Sequence, residues 1–397
     1  MAPNDRSRQP SPRSDVWEGV LLPGIFGASM RGFLLLFMMI AASSGPAAPS
    51  RTDVGDPALP CLASPPQTTG AYLETRLHIE RDDVVLAGRL LVPNRPGPHP
   101  AVVILAGGGR DSQVNYTPRF IATRLARCGI AALIYDKRGT GLSGGVWEHT
   151  TFDDLIDDAV AALDHLRADP RIDAARTGLI GISQGGRLAP VVAARAGGVA
   201  FLAAASPPFV SPRETRLFAL ENLFARLSYA PYWRAPFLAL WRDFLTRLEN
   251  GAPLHPLDRR REELASYLPG SLLPPPSSRL VRSPLYNSLA SDYSKELRMV
   301  KAPFLVLYGA RDTVIPVETS LTHLRKALPP DAPLEVVIVP EVDHAFRYED
   351  AARPRFRFEE TIIAWTLSQA GLGEVCGESL AHAGGGECAR PPAASSN

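Results

Sequence analysis

The chain has only 4 cysteines among 397 residues, too few and too scattered for a disulfide-stapled scaffold, so a buried core must hold the fold. It also lacks an excess of charge of either sign: 42 Lys and Arg stand against 41 Asp and Glu, net +1. The two signs are interspersed, so no basic face predicts nucleic acid as a partner and no charged field predicts a polyanionic surface. Nowhere does Gly-Lys-Ser/Thr follow a glycine run, which excludes the common phosphate-cradling loop. Small-molecule chemistry is the class that remains.

Long apolar runs are missing too, apart from one near the start. From Met30 the text reads MRGFLLLFMMIAASSGPAAPS: one arginine, about eleven apolar residues, then small ones, the anatomy of a secretory signal. It predicts export to the periplasm or the medium, with Met30 fitting a second start codon. An uncleaved segment would instead anchor the protein in a membrane at its N-terminus, although the run is short for a spanning helix. No cysteine follows the small residues in a lipoprotein arrangement. Residues 1–70 therefore read as signal segment and linker. At the other end, residues 372–397 read as a flexible tail, where Cys376 and Cys388 flank His382 and admit a local disulfide or a metal site.

Between these ends the composition, 45% hydrophobic and 21% charged overall, supports a substantial core. AYLETRLHIERDDVVLAGRLLVP alternates on both sides of Arg81, Asp82 and Asp83, as an antiparallel hairpin does. AVVILAGGG, GIAALIYD, TGLIGIS, VAFLAAAS, PFLVLYGARD and EVVIVPEVDH follow as short, almost continuous apolar runs. Strands buried on both faces look like this, and the segments between them have helical period. The expected fold class is α/β: a mostly parallel, doubly wound sheet with an antiparallel N-terminal hairpin. Its core spans residues 71–206 and 299–371. Residues 207–298 contain no strand-like run and many aromatics, among them Phe218, Phe224, Tyr229, Tyr232, Trp233, Phe237, Trp241 and Phe244. They read as a helical lid inserted at the carboxyl edge of the sheet, where ligands bind in such folds. These rings either wall an apolar substrate pocket or form the lid's own core.

Gly-x-Ser-x-Gly occurs twice, at Gly181, Ser183 and Gly185 and again at Gly141, Ser143 and Gly145, and context separates the two. Ser183 comes directly off the run LIGI and leads directly into a helical pattern, the strand, sharp turn and helix of a nucleophile elbow. Such a turn exposes the hydroxyl and aims the Gln184 amide, at the helix N-terminus, toward a developing oxyanion. Ser143 lies instead in YDKRGTGLSGGVWEHT, a loop in which Asp136, Lys137 and Arg138 separate strand from glycines. Gly139, Gly141 and Gly144 there also spell Gly-x-Gly-x-x-Gly. A dinucleotide site would need the glycines to open the helix and an acid to end the next strand, and that strand ends in Ser183.

A serine needs a base that is oriented by an acid. Asp312 follows the strand in PFLVLYGARD, and His344 follows the next, about thirty residues on, in the order Ser, acid, His that this architecture uses. Asp343 adjoins His344 and would point elsewhere, and Glu341 is the other acid of that loop. A second oxyanion donor is expected just after AVVILA, where Gly107, Gly108 and Gly109 let backbone approach the substrate; Gly108 is the choice.

With these segments in place, the chain from about Ala71 to Gly371 resembles the α/β-hydrolase superfamily. Within it the likeness is to the serine esterases and to the dienelactone-hydrolase-like and prolyl-oligopeptidase-like group. YDKRGTGLSGG together with GLIGISQGGRLAP carries the resemblance, supported by VVLAGRLLVP, PFLVLYGARD and VDHAF. It implies Ser183 as nucleophile, Asp312 as acid, His344 as base, no cofactor, and a small-molecule ester as substrate, with an apolar acyl or aromatic group suggested by the lid. Relatives usually place His-Gly after the oxyanion strand, whereas this chain has Ala106-Gly107. A peptidase or thioesterase of the same fold and a non-catalytic binding protein on a hydrolase scaffold are the competing functions.

Overall fold

The computed structural model describes residues 70–372 apart from 82, 111, 112, 114, 228, 280 and 281. The apolar segment at Met30 and the tail with Cys376, His382 and Cys388 lie outside the described residues.

Strands β1 (Tyr72–Glu80) and β2 (Val85–Pro93) pair antiparallel from Tyr72↔Pro93 to Glu80↔Val85. They extend a sheet built from β3 (His99–Leu105), β4 (Ala131–Tyr135), β5 (Ile172–Ile182), β6 (Leu202–Ala205), β7 (Phe304–Gly309) and β8 (Leu334–Val339). The eight strands run in the order β1-β2-β4-β3-β5-β6-β7-β8. β2 meets β4 antiparallel, and every pairing from β4 to β8 is parallel.

The apolar runs are continuous because both faces are covered. Val103 and Leu105 pack with helices α2 (Phe152–Ala168), α3 (Gln184–Ala196) and α7 (Val317–Ala327), while Val102 and Ile104 pack with α1 (Tyr116–Cys128) and α8 (Phe358–Gln369). A strand between two helical layers has no wet side on which to place polar residues. The chain leaves β3 for β4 on one side and returns to β5 on the other, which makes the carboxyl end of β3 and β5 the switch point where a crevice opens.

Local signals fix the helix starts. Thr151 caps α2 in a reciprocal box with Asp154, and Ser211 does the same with Glu214 for helix α4 (Pro212–Arg226). α4 opens the segment between β6 and β7, followed by α5 (Arg234–Glu249), α6 (Asp258–Ala265) and shorter turns. Phe224, Phe237, Trp241 and Phe244 are buried in a cluster made by this segment alone, and the Trp241 indole donates to the Leu272 carbonyl at 2.9 Å. These four rings are the insertion's core and not walls of a pocket. At roughly 1.5–3 kcal/mol for each large side chain buried, they supply much of its cohesion.

Cys128, at the end of α1, is disulfide-bonded.

Candidate active site

The Ser183 turn is a product of close approach. A Cβ at Gly185 would stand 2.2 Å from the Leu105 carbonyl oxygen of β3, and one at Gly181 would stand 2.5 Å from the Gly185 oxygen. Only glycine at both places lets β5 turn into α3 beside β3. Ser183 itself takes φ 48°, ψ −110°, an unusual conformation for a residue with a side chain, held by its own N–H on the Ala205 carbonyl at 2.7 Å. The result is a half-buried hydroxyl at a helix start.

His344 arrives from the turn after β8. Its Nε2 stands 3.1 Å from Ser183 Oγ, and its Nδ1 stands 2.7 Å from Asp312 Oδ2. The imidazole and the carboxylate are buried. The other oxygen, Asp312 Oδ1, accepts the N–H groups of Val314 and Ile315 at 2.8 Å each, so the carboxylate is fixed at both ends. Acid and base turns touch through backbone: a Cβ at Gly309 would meet the Asp343 oxygen at 2.4 Å, and Arg311 N–H donates to Val342 O at 2.9 Å. Ser206, at φ 47° after β6, donates its hydroxyl to the His344 carbonyl at 3.1 Å. The structure thus brings together the three residues that the spacing singled out. Asp343 accepts the N–H groups of Ala345 and Arg347 and pairs with the Arg347 guanidinium, while Glu341 pairs with Arg353, so neither serves His344.

Gly108 lies in the bend after β3, with open space where a side chain would project. Sequence reasoning missed the group that shapes this bend. Lys137, buried in the loop after β4, donates from Nζ to the carbonyls of Gly107 and Gly109 at 2.6 Å each. Tying down the carbonyls on either side of Gly108 fixes the path of the backbone through this bend. The ammonium also stands 5.0 Å from the Trp147 ring centroid. No periodicity reveals such a bridge, because it joins loops that follow different strands.

The rest of that loop is structural. Asp136 accepts the N–H of Gln113 at 2.6 Å and of Leu142 at 2.8 Å, and Arg138 forms a two-pronged pair with the fully buried Asp158 at 2.8 and 2.6 Å. Ser143 accepts from Ala87 N–H at 2.9 Å and donates to the Asp136 carbonyl at 2.6 Å. Gly139 N–H closes on Gly144 O at 2.6 Å, and α2 begins only at Phe152, so these glycines open no helix and make no dinucleotide cradle. Among the described residues no His/Cys/Asp/Glu group could hold a metal, and no helix is long and apolar enough to cross a membrane.

Known proteins are similar in this part of the chain. A family model described as serine aminopeptidase, S33, matches residues 97–350. Esterase EstD of Thermotoga maritima is 32% identical over 161 residues, which are 38% of this chain and 39% of that esterase. The match thus spans well under half of that relative's length. A solved hypothetical protein of Pseudomonas aeruginosa superposes with a TM-score of 0.51 at 20% identity, over 76% of this chain and 95% of its own. The α/β hydrolase GrgF of a Penicillium species gives 0.50 at 20% identity, over 75% and 98%. At such identities these structures speak for the fold, an α/β hydrolase, and for nothing finer.

Proposed function

The chain belongs to the serine aminopeptidase S33 family of hydrolases, and we propose that within it this protein cleaves carboxylic esters of small molecules through an acyl-enzyme on Ser183. The observation that carries the reading is the unbroken relay from Ser183 Oγ through His344 to Asp312, at 3.1 and 2.7 Å. Similarity to an esterase over part of the chain is consistent with it.

The chemistry follows from the geometry. Asp312 holds the proton of His344 on Nδ1, which leaves Nε2 as a base toward Ser183. As Oγ attacks the ester carbonyl, His344 takes its proton, and the carbonyl oxygen becomes an oxyanion. The amides of Gly108 and Gln184 would bind that oxygen, the latter as an N–H at a helix start with no partner within its own helix. His344 then returns the proton to the departing alcohol. Water, activated by the same imidazole, releases the acid and restores Ser183.

Preference for an apolar acyl or aromatic group is the finer part of the proposal. Its support is confined to rings outside the insertion's core, such as half-buried Phe218. Peptide cleavage is the second reading, favoured by the description of the matching family. Export through the segment at Met30 completes the proposal, and the disulfide at Cys128 suits an oxidising compartment.

One experiment tests the core reading. Purified protein is treated with a fluorophosphonate and assayed on nitrophenyl esters of increasing chain length, on thioesters, and on aminoacyl and prolyl anilides. Labelling at Ser183 with turnover of esters above anilides is expected. Anilide turnover exceeding ester turnover would establish the peptidase instead, and absence of both labelling and turnover would indicate a binding protein.

A further inference from the structure

A second cleft, of about 470 Å³, lies beside α3, and Ser183, Asp312 and His344 take no part in its lining. Its walls come from α3, the chain leaving β6, residues 291–298 and α7. This volume is in the range of small-molecule sites.

Arg187 reaches this cleft from α3, one helical turn beyond Ser183, and is 7% exposed. Its Nη2 donates to the Thr215 hydroxyl at 3.2 Å, and the guanidinium stands 5.9 Å from the Phe152 ring centroid. Among the described residues no carboxylate lies within ion-pair distance of it. Arg138, buried to a similar degree, shows the usual solution, with Asp158 gripped at two points. Glu214, the acid that acts on Arg187 electrostatically, makes no ion pair with it and has its Oε2 taken by the N–H and hydroxyl of Ser211. Burial pushes the Arg187 guanidinium down to about 10, so it is still cationic at neutral pH.

Tyr293 also lines this cleft. The Tyr293 hydroxyl is buried beside Ser291 and makes no hydrogen bond of ordinary geometry. Burial pushes it up to about 12, which keeps its proton in place. At the rim stand Arg298, Lys326 and His323. Asp292 is the one acid in the lining, and its Oδ1 is occupied by the backbone and hydroxyl of Ser294. Val191, Phe209 and Leu297 make the rest of the wall apolar.

We propose that this cleft is a binding site for an organic carboxylate, whose head pairs with the Arg187 guanidinium and the Tyr293 hydroxyl and whose short apolar body lies against Val191, Phe209 and Leu297. The guanidinium fork suits two carboxylate oxygens, and the excess of positive groups at the rim attracts the anion. The site is separate from the catalytic one and does not depend on what Ser183 does.

Benzoate, with benzamide as its neutral counterpart and inorganic phosphate as an anion without an apolar body, tests this by calorimetric titration and by thermal shift. The full chain is used both untreated and after blocking of its reactive serine by a fluorophosphonate. Saturable benzoate binding is expected in both forms, with a raised Tm, and neither benzamide nor phosphate should match it. Arg187→Met should abolish binding. Because that buried position bears on folding, Lys326→Ala with Arg298→Ala, both at exposed positions, provides the second arm. It should weaken benzoate by at least about tenfold without changing the Tm of the free protein. Loss of binding on serine blocking would place the benzoate in the catalytic site. That outcome, benzamide or phosphate binding as tightly as benzoate, rim variants with unaltered affinity, or no saturable binding at all would each overturn the proposal.

Discussion

The two Gly-x-Ser-x-Gly segments share their letters and little else. At Ser183 the backbone is bent to positive φ and the hydroxyl is left facing an imidazole at 3.1 Å. At Ser143 the hydroxyl both accepts and donates, to Ala87 N–H and the Asp136 carbonyl, and has no capacity to spare for chemistry. A pentapeptide does not define a nucleophile. What defines it is the strand before, the helix after and the hydrogen bonds left unmade. The second segment still serves the first, since the loop that Ser143 ties to β2 carries Lys137, whose ammonium grips both carbonyls beside Gly108.

Five substitutions would break or sharpen this contrast. Ser183→Ala should lower kcat by roughly 10⁴- to 10⁶-fold and abolish fluorophosphonate labelling; labelling lost in Ser143→Ala but kept in Ser183→Ala would reverse the assignment. Asp312→Asn should lower kcat by roughly 10³- to 10⁴-fold, because the amide cannot hold His344 in the required tautomer. Steady-state kinetics should separate it from Asp343→Asn, which disturbs a turn and leaves the relay in place. Lys137→Met should cost about 10- to 100-fold in kcat with a smaller change in KM, as expected if the bend it holds carries the proposed oxyanion donor Gly108. Ser143→Ala should keep kcat within about threefold and lower stability by about 1–3 kcal/mol, read by urea titration, because a buried N–H and a carbonyl lose their partner.

Much of this was readable in the sequence for a physical reason. Strands covered on both faces must be apolar throughout, so their ends show as the first polar or small residues, and Ser183, Asp312 and His344 stand at or just past such ends. Gly181 and Gly185 followed from the need for backbone to approach backbone. Lys137, Asp136 and Ser206 did not show, because each acts across a gap between loops that are distant in the chain. Arg187 was hidden for the opposite reason: in SQGGRLAP it looks like a helix surface residue, and only the packing of α4 and α7 around it reveals a buried cation. The aromatics of the insertion could be read as pocket or as core, since composition records that apolar surface exists and not which neighbour covers it.

The insertion's private core has a practical consequence. A segment that buries its own Phe237, Trp241 and Phe244, and is entered beside Pro207, where the Tyr308 hydroxyl pins the carbonyl at 2.6 Å, can be exchanged as a cassette. Grafting between Pro207 and Val300 would replace the insertion while leaving Asp312 and His344 on their own fused turns. The joints of the graft would also decide the fate of the Arg187 cleft, whose walls include residues from both ends of the exchanged piece.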